Sequence, residues 1–80
     1  MINVSAVRHL HHHVLWLRFN DGVDGEVDLA GELAGEISAP LRYPEIFARA
    51  KVHPELRTVT WPNGTDCAPE FLHSLVRVAA

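Results

Sequence analysis

Four histidines fall within five positions, His9, His11, His12 and His13, and no other run in the chain is so dense in groups that can do chemistry. Imidazole nitrogens suit zinc, copper or nickel. On an extended segment His11 and His13 project to the same side, roughly 7 Å apart, and His9 joins them if the strand continues. A natural metal centre also needs a third or fourth ligand and groups that orient the rings. No cysteine or carboxylate is tied to this run by spacing, and the run falls where a first hairpin has to turn. The expectation is a polar hairpin loop with weak, adventitious metal affinity at His9, His11 and His13, and no cofactor.

Asp24, Glu26 and Asp28 form an acidic stripe at a spacing of two. Paired carboxylates do acid–base work when burial raises one of them. Their alternation with Val23, Val27 and Leu29 instead turns them toward water. Cys67 lies near the start of a predicted helix, where a thiol can be activated. No His or Asn is tied to it, so a small buried filler is expected. Asp66 is placed to cap that helix, with Pro69 and Glu70 in the first turn. Ser5, Ser38 and Ser74 lie in no nucleophile-elbow pattern, and the glycines form no phosphate loop. Trp16 reads as core. Trp61 precedes a Pro-Asn-Gly turn at the domain edge, so it is either core or a partly exposed contact anchor.

The elements that must position these groups fit one domain, residues 1–80. A chain of 80 residues that is 48% hydrophobic and 21% charged is globular, not disordered. Its formal net charge of −3 argues against direct nucleic-acid binding, which needs a basic face. The single cysteine excludes an internal disulfide. No run reaches the roughly 20 apolar residues of a membrane span or resembles a signal peptide, so a cytoplasmic protein is expected.

Val4 to Leu10, Val14 to Phe19 and Val23 to Leu29 predict a three-strand antiparallel meander, with the tight-turn signal Asn20-Asp21-Gly22 before the third strand. Both faces of Val14 to Phe19 are largely apolar, so that strand is expected to be central and covered on both sides. Ala30 to Glu36 predicts a short helix with Asp28 near its start. A better short helix lies in Ala39 to Ala50, with Pro44 in its first turn and Ile46, Phe47 and Ala50 inward. Lys51 to His53 and Thr58 to Trp61 predict a later hairpin that turns through Pro54 and Glu55. Asn63-Gly64 predicts a turn. Phe71, Leu72, Leu75 and Val76 share one face of a C-terminal helix. The fold class is α+β: a small antiparallel sheet of about five strands, a C-terminal helix and one or two short helices.

Three stretches, "LRFNDGVDGEVDL", "LRYPEIFARAKV" and "TVTWPNGTDCAPEFL", resemble the bacterial family known as domain of unknown function 2442. They cover nearly the whole chain in order. The third is the most specific, with Trp61-Pro62-Asn63-Gly64, Asp66 and Ala68-Pro69-Glu70 before Leu72. The resemblance implies the meander-plus-helix arrangement and no catalytic residues. It also implies two settings. Some relatives carry an added helix-turn-helix domain, and others look like one product of a two-gene, toxin–antitoxin-like pair. Cys67 stands where the pattern has an aliphatic residue, which argues against a shared cysteine chemistry.

The functional expectation is a non-enzymatic protein-binding module, antitoxin-like, that meets a small basic protein through a sheet edge, the acids Asp24, Glu26 and Asp28, and Trp61. The alternatives are an accessory domain related to helix-turn-helix transcription regulators and a small metal-dependent enzyme. No membrane contact and no direct nucleic-acid contact are expected.

Overall fold

The run of branched and aromatic residues at Val14–Phe19 forms β2, the middle strand of a three-stranded antiparallel sheet. It lies between β1 (Val4–His11) and β3 (Asp24–Asp28). The structure is a computed structural model that describes residues 1–33 and 39–76. On one face of β2, Leu15, Leu17 and Phe19 are buried, and they are continued by Val27 on β3 and Val4 on β1. Burying these side chains is the main drive for the sheet, at roughly 1.5–3 kcal/mol for each large one.

Two tight turns are built alike. At the β2–β3 connection Gly22 N–H donates to Phe19 O (3.1 Å), Phe19 N–H donates to Val23 O (2.8 Å), and Asp21 Oδ1 accepts from Val23 N–H (3.0 Å). At the second, Gly64 N–H donates to Trp61 O (3.0 Å), Trp61 N–H donates to Thr65 O (3.0 Å), and Asn63 Oδ1 accepts from Thr65 N–H (3.1 Å). Gly22 and Gly64 both sit at φ +89°, a conformation that a Cβ disfavours. The glycine carries the positive φ in each turn, and the Asx residue before it supplies the side-chain acceptor.

Among the described residues five strands divide into two sheets. β4 (Lys51–Val52) pairs with β5 (Val59–Thr60), and this short hairpin is a separate ladder from the meander. The two ladders meet at β1, where Val4 N–H donates to Arg57 O (2.9 Å). The predicted turn through Pro54 and Glu55 is held by His53, whose Nδ1 accepts from the N–H groups of Glu55 and Leu56 (both 3.1 Å).

The middle region is more broken than the sequence predicts. A 3₁₀ turn, Ala30–Glu32, stands at the start of the first expected helix, and Asp28 Oδ1 accepts from Ala30 N–H (3.0 Å). The remainder of that expected helix, residues 34–36, lies outside the described residues. A 3₁₀ turn at Ala39–Arg42 precedes α1 (Pro44–Phe47), with Pro44 at its start as expected. The last helix, α2 (Pro69–Leu75), also starts on proline.

The core lies between the meander and these helices. It joins Leu15, Leu17, Phe19 and Val27 to Leu29, Leu33, Leu41, Phe47, Val59, Trp61 and Leu72. On α2, Leu72 is buried and Leu75 packs partly against the core, whereas Phe71 turns outward. No helix among the described residues is long and apolar enough to cross a membrane.

Candidate interaction surface

The described helices and the second hairpin contribute their buried residues to the core on one face of the meander. The other face carries a partly apolar, mixed-charge surface. The register places Arg8, Trp16 and Glu26 in one row across the three strands. A second row holds Ala6, Arg18 and Asp24, and a third holds His11, Val14 and Asp28. Trp16 and Val14 are half-buried, and the charged members of all three rows are exposed. A shallow cleft of about 420 Å³ is lined by Arg8, Leu10, Trp16 and Glu26.

Among the described residues β2 is therefore central and covered on one side, where its two apolar faces predict cover on both. The described helices and second hairpin bury their apolar residues against the side with Leu15, Leu17 and Phe19. On the open face the Arg18 guanidinium lies 5.4 Å from the centre of the Trp16 ring and 3.6 Å from the Asp24 carboxylate. A cation over an indole is attracted by the ring quadrupole. The Arg18–Asp24 pair is about half exposed on both sides, so it orders the side chains more than it stabilises the fold.

Asp24, Glu26 and Asp28 are exposed on one face, as their spacing predicts. They are not a purely acidic surface, however. Asp24 is paired with Arg18, Asp28 holds the Ala30 N–H, and Arg8 stands in the row of Glu26. Cross-strand register decides this, and single-strand alternation does not contain it.

The histidines divide between the two faces. β1 is irregular between His9 and His11, and a bulge re-aims the side chains that follow it. His9 opposes the buried Leu15, and its ring stacks edge-on against Phe47 with centroids 5.9 Å apart. His13 packs on the same Phe47 ring at 5.0 Å, and its Nε2–H donates to Leu41 O (3.0 Å) and Arg42 O (2.9 Å). His9 Nε2–H donates to His12 O (2.9 Å). His11 pairs across from Val14, which belongs to the open face. The irregularity between His9 and His11 breaks the extended run that would have put His9, His11 and His13 on one side. Two of the three fix the hairpin and α1 to each other, and the third points away. Among the described residues no three His, Cys, Asp or Glu side chains are grouped to hold an ion.

Trp61 is only 3% exposed, which removes it as a contact anchor. Its indole Nε1–H donates to Phe47 O (2.9 Å), and the two rings lie 5.5 Å apart. The Pro-Asn-Gly turn is at the surface, but the whole run from Thr58 to Trp61 is buried, with Val59 and Trp61 in the hydrophobic core. Val59 at i−2 is the signal in the sequence that points to this. Trp16, read as core, is the tryptophan that reaches solvent.

Asp66 does not cap α2. Ala68 occupies the cap position and makes no side-chain cap bond. Asp66 instead bridges to Thr60 through the backbone, extending the second hairpin past its turn. Cys67 packs against the core, and burial pushes its thiol up from 9.0 to about 11, with Asp66 and Glu32 adding to the rise. A thiol so raised is a poor nucleophile at neutral pH. Sequence reasoning also missed an ion pair. His73 Nε2 lies 2.9 Å from Asp21 Oδ2 and ties α2 to the first turn. The Asp21 carboxyl is held below its ordinary value, chiefly by the Val23 N–H and further by His73.

The crystal structure of Putative DNA Binding Protein NE0471 from Nitrosomonas europaea ATCC 19718 is similar over 95% of this chain, with a TM-score of 0.82 and 23% sequence identity. This chain spans 49% of that protein. Among curated proteins none matches. The family described as Protein of unknown function (DUF2442) matches residues 4–77, and the chain belongs to that family.

Proposed function

We propose that this domain is a non-enzymatic protein-binding module that docks through the open face of its β-meander. The observation that carries the reading is Trp16, half-buried at the middle of that face between Arg8 and Glu26. Tryptophan and arginine are the residue types that most often anchor protein interfaces. The candidates for catalysis do not converge. Cys67 is raised to about 11, and the described carboxylates of β3 lie in water or in structural bonds. The mixed charge favours a partner surface that presents both signs. An antitoxin-like pairing with a small basic protein is the narrower form of this reading. It rests on Asp24, Glu26 and Asp28, and the neighbouring Arg8 and Arg18 weaken it. The free thiol of Cys67 fits a cytoplasmic setting.

A second reading, an accessory domain of a DNA-binding regulator, is favoured by the likeness to about half of a protein named for DNA binding. In that setting this domain supplies protein contacts and another part of the protein meets DNA, in keeping with the net charge of −3. The test compares tagged wild type with Trp16→Ala in affinity purification from native cells. Proteins retained by the wild type and lost with the variant are the expected result. Duplex DNA binding by the isolated domain that weakens in Arg8→Ala and Arg18→Ala would overturn the protein-binding reading.

A further inference from the structure

The open face of the meander is self-complementary, and we infer that it pairs with the same face of a second copy of this chain. The inference rests on the protein-binding reading above and names its partner. A closed dimer requires each surface patch to fit itself under a two-fold rotation. A two-fold axis parallel to β2, in the plane between two stacked sheets, reverses each cross-strand row and leaves its position along the strand unchanged. The row Arg8–Trp16–Glu26 then meets Glu26–Trp16–Arg8 of the copy. Arg8 faces the opposite carboxylate, Glu26 faces the opposite guanidinium, and the two indoles meet at the axis. The row of His11, Val14 and Asp28 behaves in the same way, with Val14 on Val14 and His11 toward Asp28.

The row of Ala6, Arg18 and Asp24 places Arg18 near Arg18, and each is already paired with its own Asp24 at 3.6 Å. An axis across the strands would put Arg8 on Arg8, so charge selects the first arrangement. Packed sheets cross at about 30° because of their twist, which the long Arg8 and Glu26 side chains can span.

Arg8 and Glu26 have reason to seek a partner outside the monomer. β2 stands between them, and strands are about 4.8 Å apart, so they lie roughly 10 Å from each other along the row. The ion pairs among the described residues are Arg18–Asp24 and His73–Asp21, and neither includes Arg8 or Glu26. Hydrogen bonds and ring contacts of this face among the described residues stay within the meander and its immediate ends. The face is about 14 Å wide and about 20 Å long from strand spacing and rise. That is small beside the roughly 800 Å² per partner of a standard interface. The dimer is accordingly a weak one, in concentration-dependent exchange with the monomer.

The test uses charge exchange and sedimentation equilibrium from about 10 μM to 1 mM, with circular dichroism as the check on folding. Wild type should dimerise with concentration. Arg8→Glu sets a new carboxylate against the copy's Glu26 at both contacts, and Glu26→Arg sets a new guanidinium against the copy's Arg8. Each variant alone should therefore associate at least tenfold more weakly. Mixed in equal amounts, the two variants should form a heterodimer, because every contact between them is again opposite in sign. The double variant Arg8→Glu/Glu26→Arg should dimerise like wild type. A wild type that stays monomeric at 1 mM would overturn the inference, as would folded variants that self-associate as wild type does. Loss of a different cellular protein with Trp16→Ala, alongside a monomeric wild type, would leave the protein-binding reading standing and remove only the second copy.

Discussion

Trp61→Phe separates a core tryptophan from a docking one. The ring is 3% exposed, donates its Nε1–H to Phe47 O at 2.9 Å, and lies against a Phe47 side chain that is wholly buried. Phenylalanine keeps the aromatic contact and removes the donor. The Phe47 carbonyl retains one bond, from Ala50 N–H at 3.2 Å, so it is not orphaned. The lost bond therefore costs about 1 kcal/mol, an ordinary net value. Roughly 40 Å³ of side chain is removed, and at about 24 cal/mol per Å³ of void this adds about 1 kcal/mol. The sum, about 2 kcal/mol, is a large share of the roughly 4–12 kcal/mol expected for a domain of this size. It corresponds to a fall of roughly 8–16 °C in Tm. Urea unfolding of Trp61→Phe beside Trp16→Phe is the assay. Trp16→Phe should cost under about 1 kcal/mol, because that ring is only partly buried and its loss of volume opens toward solvent. Equal midpoints for wild type and Trp61→Phe, or a larger loss at Trp16, would refute the assignment of the two tryptophans.

Gly22→Ala and Gly64→Ala should each cost roughly 1–2 kcal/mol through the +89° φ alone, since no atom lies within 4 Å of either added Cβ. The two losses should add in the double variant, which urea unfolding would show. Asp66→Ala should shift stability by less than about 0.5 kcal/mol, because Asp66 is not the cap of α2, and a loss of about 1 kcal/mol or more in the same assay would restore the cap. Cys67 should resist iodoacetamide at pH 8 in the folded protein and react on unfolding. Its folded pKa is raised from 9.0 to about 11, so its contribution to stability is present below pH 9 and is lost as pH rises toward 11. A Cys67→Ala variant should lack that alkaline loss in denaturation curves taken across the range.

β2 is legible because a β-branched, aromatic and almost wholly apolar run ends at a turn signal on the C-terminal side, and its bounds coincide with the predicted ones. β3 is nearly so, since Val27 and Leu29 alternate with acids that have to face water. Trp16 is the tryptophan placed differently from its reading as core, and the covering of the sheet gives the reason. Apolar residues on both faces of β2 imply two covering layers, and the described residues build one. The side with three large residues, Leu15, Leu17 and Phe19, is covered, and Trp16 is left at the surface. At Trp61 the visible turn signal outweighs the less visible pattern of Val59 two residues before it. The cap expected at Asp66 does not form, because Pro69 starts α2 directly after Ala68 and so leaves Asp66 upstream of the cap position.

The surface itself is legible only in pieces. Asp24, Glu26 and Asp28 can be placed together from spacing, but their neighbours depend on pairing between strands. The turn through Asn20, Asp21 and Gly22 sets Arg18 opposite Asp24 and thus Trp16 opposite Glu26. On the other side Arg8 opposes Trp16, and the irregularity between His9 and His11 turns His9 inward while His11 follows the open face. A one-residue slip at either connection would move every side chain of that strand to the opposite face. The mixed-charge row across Trp16 is therefore a consequence of one glycine turn and one bulge. The histidines that suggested metal chemistry mark the bulge that sets this row in place.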